Sequence, residues 1–158
     1  METVFITGGN SGLGFETAKQ FLLSGYTVVI GCRDKPKGDA AVDQLRNIAN
    51  GKNISSVEIN LSSFDSIRKC VSELSYPIDI LICNAGVAFD TIYHRTQEGI
   101  EETFGVNHLG HFLLTNLVLK KFKTSLKKII VISSSVHDPQ ASNGMFPAPE
   151  VSSIYTLA

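Results

Sequence analysis

Three apolar β-formers, Val4-Phe5-Ile6, run without a break into residues 7–14, TGGNSGLG, and from there into a stretch where Ala18, Phe21 and Leu22 share one face at helical spacing. A strand, a glycine-rich turn and a helix in immediate succession leave few architectures open. A helix start carries unpaired N–H groups and the positive end of the peptide dipole, so it favours an anion such as phosphate. Gly8, Gly12 and Gly14 supply the backbone freedom and the missing side chains that let a pyrophosphate and a packed helix approach closely. Asn10, Ser11 and Leu13 complete the loop as candidate cofactor-binding positions. A glycine triplet alone says little; one set between a strand and an amphipathic helix carries weight.

The same alternation repeats along the chain. Gly25 ends the first helix, a strand follows over residues 27–30, and a turn over residues 31–34 leads into a helix from about Pro36 to about Asn50-Gly51. A strand over residues 55–59, a helix over 63–74 and a strand over 78–83 come next. The last of these, IDILIC, is too apolar for a one-sided sheet and belongs in the middle. After CNAG at residues 83–86 and a polar loop, the spacing predicts a long helix over residues 97–121. Its stripe is Leu109, Phe112, Leu113 and Leu117, and Lys120, Lys121 and Lys123 suit its negative end. Residues 128–132 read as a fifth strand. Residues 134–158 hold three of the five prolines and no clear period, which predicts an irregular loop or tail. Strands alternating with helices imply an α/β fold built on a parallel sheet, as one domain over residues 1–158.

Composition narrows the function. The 158 residues are 43% hydrophobic, and 14 basic against 15 acidic side chains leave a net charge of −1. That excludes intrinsic disorder and gives no basic excess for nucleic acid or a membrane surface. No apolar run reaches the roughly 20 residues of a spanning helix, and no charged leader precedes the first apolar segment. Three scattered cysteines, Cys32, Cys70 and Cys83, read as buried thiols in a reducing compartment, so a cytoplasmic location is expected. Without a secretory leader, the sequons at Asn53 and Asn60 are chance matches.

Four motifs carry a family resemblance. TGGNSGLG resembles the TGxxxGxG motif of the short-chain dehydrogenase/reductase family; CNAG is similar to its NNAG; residues 106–115, VNHLGHFLLT, resemble its helix carrying an active-site asparagine; and residues 130–135, IVISSS, resemble the segment ending in its active-site serine. GCRD, CNAG and NHLGHFLLT are most similar to the branch of retinol dehydrogenases, protochlorophyllide reductases and WW-domain oxidoreductases. The resemblance implies a doubly wound, Rossmann-like sheet, here incomplete, with about five strands in order 3-2-1-4-5, and a nicotinamide dinucleotide cofactor.

The end of the second strand is where such a fold meets the adenosine ribose. Arg33 stands there, and a guanidinium suits a 2′-phosphate, so NADP(H) is preferred, with NAD(H) as the alternative that Asp34 would favour. By resemblance Asn60-Leu61 replaces the family's Asp-Leu, whose aspartate binds the adenine amino group; Asn keeps an acceptor and loses the charge. Asn84, Ala85 and Gly86 would line the nucleotide cleft.

Carbonyl reduction needs a group that polarises the substrate oxygen and supplies a proton. The family's set is Asn, Ser, Tyr and Lys. Ser134 matches the serine, with Ser133 and Ser135 beside it, and Asn107 matches the asparagine, said to anchor a proton-relaying water. The Tyr-x-x-x-Lys pair is not found. Tyr26, Tyr76 and Tyr93 precede Ile30, Ile80 and Gln97 by the motif's spacing; Tyr155 would open the motif if lysine followed at position 159, but residues 145–158 resemble the extended loop that some members place before it. His108 and His111 lack a third ligand for zinc, and His137 has no acidic partner for a serine-hydrolase triad. The expected function is therefore NADP-dependent interconversion of a carbonyl and an alcohol, in a fragment lacking the catalytic Tyr and Lys. The alternative is a non-catalytic NADP(H)-binding or sensing module. A small-molecule carbonyl or alcohol substrate is expected for the complete protein, with no metal, no nucleic acid and no membrane segment; a homo-oligomer stays open.

Overall fold

The computed structural model describes residues 1–49, 53–88 and 94–134. Strands β1 (Thr3–Thr7), β2 (Thr27–Cys32), β3 (Ile54–Glu58), β4 (Ile80–Cys83) and β5 (Lys128–Val131) form one sheet in the order β3-β2-β1-β4-β5. Every neighbouring pair is parallel. Parallel strands need long crossovers, and helices α1 (Gly12–Leu23), α2 (Lys35–Ala49) and α3 (Phe64–Glu73) supply them, followed by a composite helix before β5. The chain steps outward from β1 to β3, then returns to the far side of β1 for β4.

Both faces of the sheet are covered. Val4, Ile6, Val28, Ile30, Ile80 and Ile82 pack with Ala18 and Leu22 of α1 and Val42 and Leu45 of α2. Phe5, Val29 and Leu81, on the opposite face, pack with Ile67 and Val71 of α3 and with Leu114 and Val118. Two-sided burial explains the unbroken apolar runs of the inner strands, β4 among them. β5 is the outer strand, with Ile129 and Ile130 half-buried and Val131 64% exposed.

The composite helix departs from the sequence pattern. It starts at Glu102 instead of Gln97, as α4 (Glu102–Phe104), a π-helical stretch (Gly105–Gly110) and α5 (His111–Lys121). Residues 96–100 close a turn instead, with Thr96 N–H bonded to Ile100 O and Gly99 at φ 80°. Glu101 then caps the helix by accepting from the N–H groups of Thr103 and Phe104 at 2.8 and 2.7 Å. The wider π turn shifts the phase of everything after it. Leu114 and Val118 are the fully buried positions; Leu109, Leu113 and Leu117 are half-buried, and Phe112 is 62% exposed. Lys121 serves a different helix end from the one expected, donating to Val71 O and Ser72 O near the C-terminus of α3.

At the opposite end of the sheet from the glycine loop, the buried Asp79 accepts from Thr3 N–H at 2.8 Å and pairs with Lys127 at 3.0 Å. These partners hold its carboxyl below the usual carboxylate range. All three cysteines are buried and free; burial raises each thiol, that of Cys70 to about 12. The expected end of α2 at Asn50-Gly51 and the tail from residue 135, with Ser135, His137 and Tyr155, lie outside the described residues.

Candidate functional site

A cavity of about 490 Å³ opens at the C-terminal ends of β1 to β4, where the strand order reverses on either side of β1. Ligands enter open α/β sheets at such a switch point. Gly8, Asn10, Ser11, Leu13 and Gly14 form one wall, and Asn84, Ala85 and Gly86 another. The third carries Arg33, Asn60 and Leu61. Of the cofactor-binding candidates, Gly12 alone lies off the cavity wall.

The loop is built to bring backbone close to backbone. Gly8 has φ 69° and donates its N–H to Gly31 O at 2.7 Å. A Cβ on Gly14 would stand 2.4 Å from Gly8 O and 2.5 Å from Asn84 Nδ2, so only glycine fits. Gly12 has φ 55° with open space around it, so its requirement is conformational. Ser11 at the N-cap of α1 is extended and makes no side-chain capping bond, which leaves first-turn N–H groups to an incoming anion.

Thr7 joins the two sides of the switch point. Its hydroxyl accepts from Asn84 N–H at 2.9 Å and Ala85 N–H at 3.0 Å. Asn84 Nδ2 donates back to Thr7 O at 2.9 Å. His111 Nε2 lies 2.9 Å from the same hydroxyl, and its Nδ1 lies 3.1 Å from Asn107 O. A carbonyl only accepts, so Nδ1 carries the proton. Burial lowers the imidazole pKa and keeps the ring neutral, so Nε2 accepts the Thr7 proton.

Asn107 lies in the π-helical stretch, and both ends of its carboxamide are bonded to Val87. Oδ1 accepts from Val87 N–H and Nδ2 donates to Val87 O, both at 2.8 Å. It therefore locks the segment after β4 to the helix. Gly110 permits the close packing, since a Cβ there would stand 2.5 Å from Leu61 O. Ser134 is exposed beyond β5, two positions past Ile132, which lines the cavity.

On the third wall, Arg33 makes no hydrogen bond or ion pair with a described residue. Asp34 is committed elsewhere: its Oδ1 accepts from Lys37 N–H at 3.0 Å, capping α2, and its Oδ2 lies 3.6 Å from Lys37 Nζ. Asn60 Oδ1 accepts from Ser62 N–H and Ser62 Oγ at 3.1 and 2.8 Å.

In the sequence Thr7 stands only as the head of a motif, and His111 only as a histidine lacking a third zinc ligand. One signal was available: His111 stands one turn after Asn107, where an imidazole can reach that residue's carbonyl. Val87, Val106 and Ile132, also on the cavity wall, carry no residue-type signal. Among the described residues, no cluster of His, Cys, Asp or Glu is able to hold a metal ion, and no helix is long and apolar enough to cross a membrane.

A doubly wound parallel sheet with a glycine loop at its switch point defines a Rossmann-like fold of the dinucleotide-binding class. The chain belongs to the short chain dehydrogenase family, whose model matches residues 2–148. It is 43% identical over 150 residues to retinol dehydrogenase 14 of Mus musculus, covering 86% of this chain and 45% of that protein. To the WW domain-containing oxidoreductase of Gallus gallus it is 36% identical over 142 residues, covering 86% of this chain and 34% of that protein. The chain thus spans less than half the length of these relatives. Among solved structures it is similar to an uncharacterised protein from Mycobacterium paratuberculosis, with a TM-score of 0.75, 37% identity, and coverage of 88% of this chain and 48% of that one. It is also similar to a short-chain dehydrogenase from Sphingobium yanoikuyae in complex with NADPH, with a TM-score of 0.73, 28% identity, and coverage of 92% and 58%.

Proposed function

We propose that this chain is the cofactor-binding part of an NADP-dependent oxidoreductase that interconverts a carbonyl and an alcohol. The observation that carries the cofactor choice is Arg33 on the cavity wall with no hydrogen bond or ion pair to a described residue, beside an Asp34 whose carboxylate is committed to the start of α2. A guanidinium there favours a 2′-phosphate, and the neighbouring Asp34 carboxylate, which would argue for a 2′-hydroxyl, is turned to other use. The cradle also fits a pyrophosphate, because Gly8 and Gly14 let the loop pack closely against residues 84 and 85 and α1 presents uncapped N–H groups.

When bound, NADP(H) supplies the hydride. The chain's own residues bind and orient it: Arg33 and the loop hold the phosphates, and Asn84 to Gly86 wall the cleft. Asn107 and Ser134 stand as the candidate catalytic residues. Asn107 is held in place by Val87, and Ser134 would donate a hydrogen bond to the substrate oxygen. Proton donation is assigned to a Tyr-x-x-x-Lys pair outside these 158 residues. A missing general acid costs about 10² to 10⁴ in rate. The chain alone should therefore bind NADPH and show no useful carbonyl reduction, while the protein extended through such a pair turns over. Robust reduction by the 158 residues alone would overturn that assignment.

A second reading is a non-catalytic NADP(H)-binding or sensing module, which needs the cavity wall of Gly8, Gly14 and Arg33 and no proton donor. A coding sequence that continues past Ala158 into Tyr-x-x-x-Lys decides for the enzyme, and a stop codon there decides for the module. The three buried thiols support a reducing compartment such as the cytoplasm.

A further inference from the structure

His111 does not line the cavity, but two residues that do depend on the state of its ring. Thr7 Oγ1 has two lone pairs and one hydrogen. The lone pairs accept the N–H groups of Asn84 and Ala85 at 2.9 and 3.0 Å, and the hydrogen goes to His111 Nε2 at 2.9 Å. The ring is held in this sense because its Nδ1–H donates to Asn107 O at 3.1 Å. Neutral His111 is therefore the acceptor that leaves both Thr7 lone pairs to the turn after β4.

A proton on Nε2 makes the ring a donor at both nitrogens. Thr7 Oγ1 then faces three N–H donors with two lone pairs, and its own hydrogen is left with the longer approach to Ile82 O, at 3.4 Å. One of the two backbone N–H groups must be let go. Both belong to the cavity wall, and Asn84 is packed into the glycine loop as well: its Nδ2 donates to Thr7 O at 2.9 Å, and a Cβ on Gly14 would stand 2.5 Å from that nitrogen. Loosening the turn disturbs both walls at once.

Among the described residues, no charged side chain faces the ring. β1 carries no titratable group; β4 brings the Cys83 thiol, and α3, which packs on α5, brings the Cys70 thiol, both raised by burial and so neutral. His108, on the exposed side of the helix, stacks between Phe104 and Phe112, and Lys120 and Lys121 stand at the far end of α5. Burial lowers the imidazole pKa, and the bond to Asn107 O opposes that shift. Resting on the reading that this cavity holds NADP(H), we propose that His111 is a positioning residue for the nucleotide: the neutral ring keeps the turn of Asn84 and Ala85 in its binding form, and a proton taken up at Nε2 releases it. Proton and nucleotide therefore compete, and the competition is reciprocal, so a bound nucleotide makes the ring harder to protonate.

The test is a titration of the His111 ring by nitrogen chemical shift, in the free protein and in protein saturated with NADPH, alongside NADPH affinities of the native protein and of His111→Gln over the same pH range. Saturation should move the midpoint of the ring's titration down by about one pH unit or more. Glutamine offers an acceptor and a donor but takes up no proton. The ratio of native to variant affinity should therefore fall about fivefold or more between one pH unit above and one below the midpoint of the free native ring. Taking the ratio cancels the titration of the nucleotide's own phosphate, and the native ring titration decides alone if the variant does not fold. A midpoint that NADPH leaves in place would overturn the proposal. So would a ring that stays neutral in the free protein down to acid unfolding, or a ratio that changes by less than about twofold. Failure to bind NADPH at any pH is a different result, which removes the cofactor reading of the cavity and the inference resting on it.

Discussion

The Thr7 hydroxyl and His111 Nε2 stand 2.9 Å apart, joining the end of β1 to the start of α5. Through this contact the turn after β4, the glycine loop and the asparagine-bearing helix share one hydrogen-bond network. Asn84 and Ala85 donate to Thr7, Thr7 donates to His111, and His111 donates to Asn107 O. The competing approach of Thr7 Oγ1 to Ile82 O is longer, at 3.4 Å. Both lone pairs and the single proton of the hydroxyl are in use.

Thr7→Val keeps the shape and deletes the hydroxyl, leaving two backbone N–H groups and one imidazole nitrogen without a partner. It should lower stability by about 2–4 kcal/mol in chemical denaturation, because three groups, two of them on half-buried residues, lose their partner at about 1 kcal/mol each. Thr7→Ser, which keeps the oxygen, should cost far less.

His111 makes stability depend on pH. Burial lowers its native pKa, so as pH falls below the unfolded value of about 6.5 the unfolded chain takes up a proton that the native one refuses. Its contribution is complete above about pH 6.5 and is lost on acidification, at up to about 1.4 kcal/mol per pH unit, until the native pKa is reached. His111→Gln should flatten that slope in denaturation curves measured from pH 8 to pH 5, a window of about three units. Nitrogen chemical shifts of the native ring should show Nδ1 protonated and Nε2 bare.

Two loop glycines should fail differently. Gly14→Ala puts a methyl group 2.4 Å from Gly8 O, a backbone atom that cannot step aside. It should cost about 3 kcal/mol or more and abolish nucleotide binding. Gly12→Ala meets nothing and pays only for its positive φ, about 1 kcal/mol. Equal losses of stability for the two variants would refute this division.

Asp79 ties the other end of the sheet. Its carboxyl is held low by Thr3 N–H and by Lys127, so its contribution is present above the unfolded pKa of about 3.9 and is lost as pH falls through the lower native value. Asp79→Ala strands the buried Thr3 N–H and should cost about 1–3 kcal/mol at neutral pH, read from the denaturation midpoint.

The strands, the first three helices and the glycine loop were legible in the sequence because they rest on short-range pattern, whereas the sheet order and the walls at residues 60–61 and 84–86 came from the family resemblance. Apolar runs such as IDILIC mark buried parallel strands, and glycines at residues 8 and 14 mark close approach. The composite helix departs from the sequence pattern because a π-helical stretch interrupts the period of 3.6 residues per turn, and because Gly99 and Thr96 close a turn within residues 96–100. Asp34 and Asn60 were ambiguous for a different reason. Both are polar residues at strand ends, and only their bonds to Lys37 and Ser62 show which of their atoms remain for a ligand.

The central claim is that Arg33 makes this an NADP(H) cavity, and a comparison of NADPH and NADH binding by the native protein and by Arg33→Ala tests it most directly. The native protein should bind NADPH at least about tenfold more tightly than NADH, and Arg33→Ala should lose about tenfold or more for NADPH with little change for NADH. Equal affinities for the two nucleotides in the native protein, or an Arg33→Ala variant that weakens both alike, would contradict it.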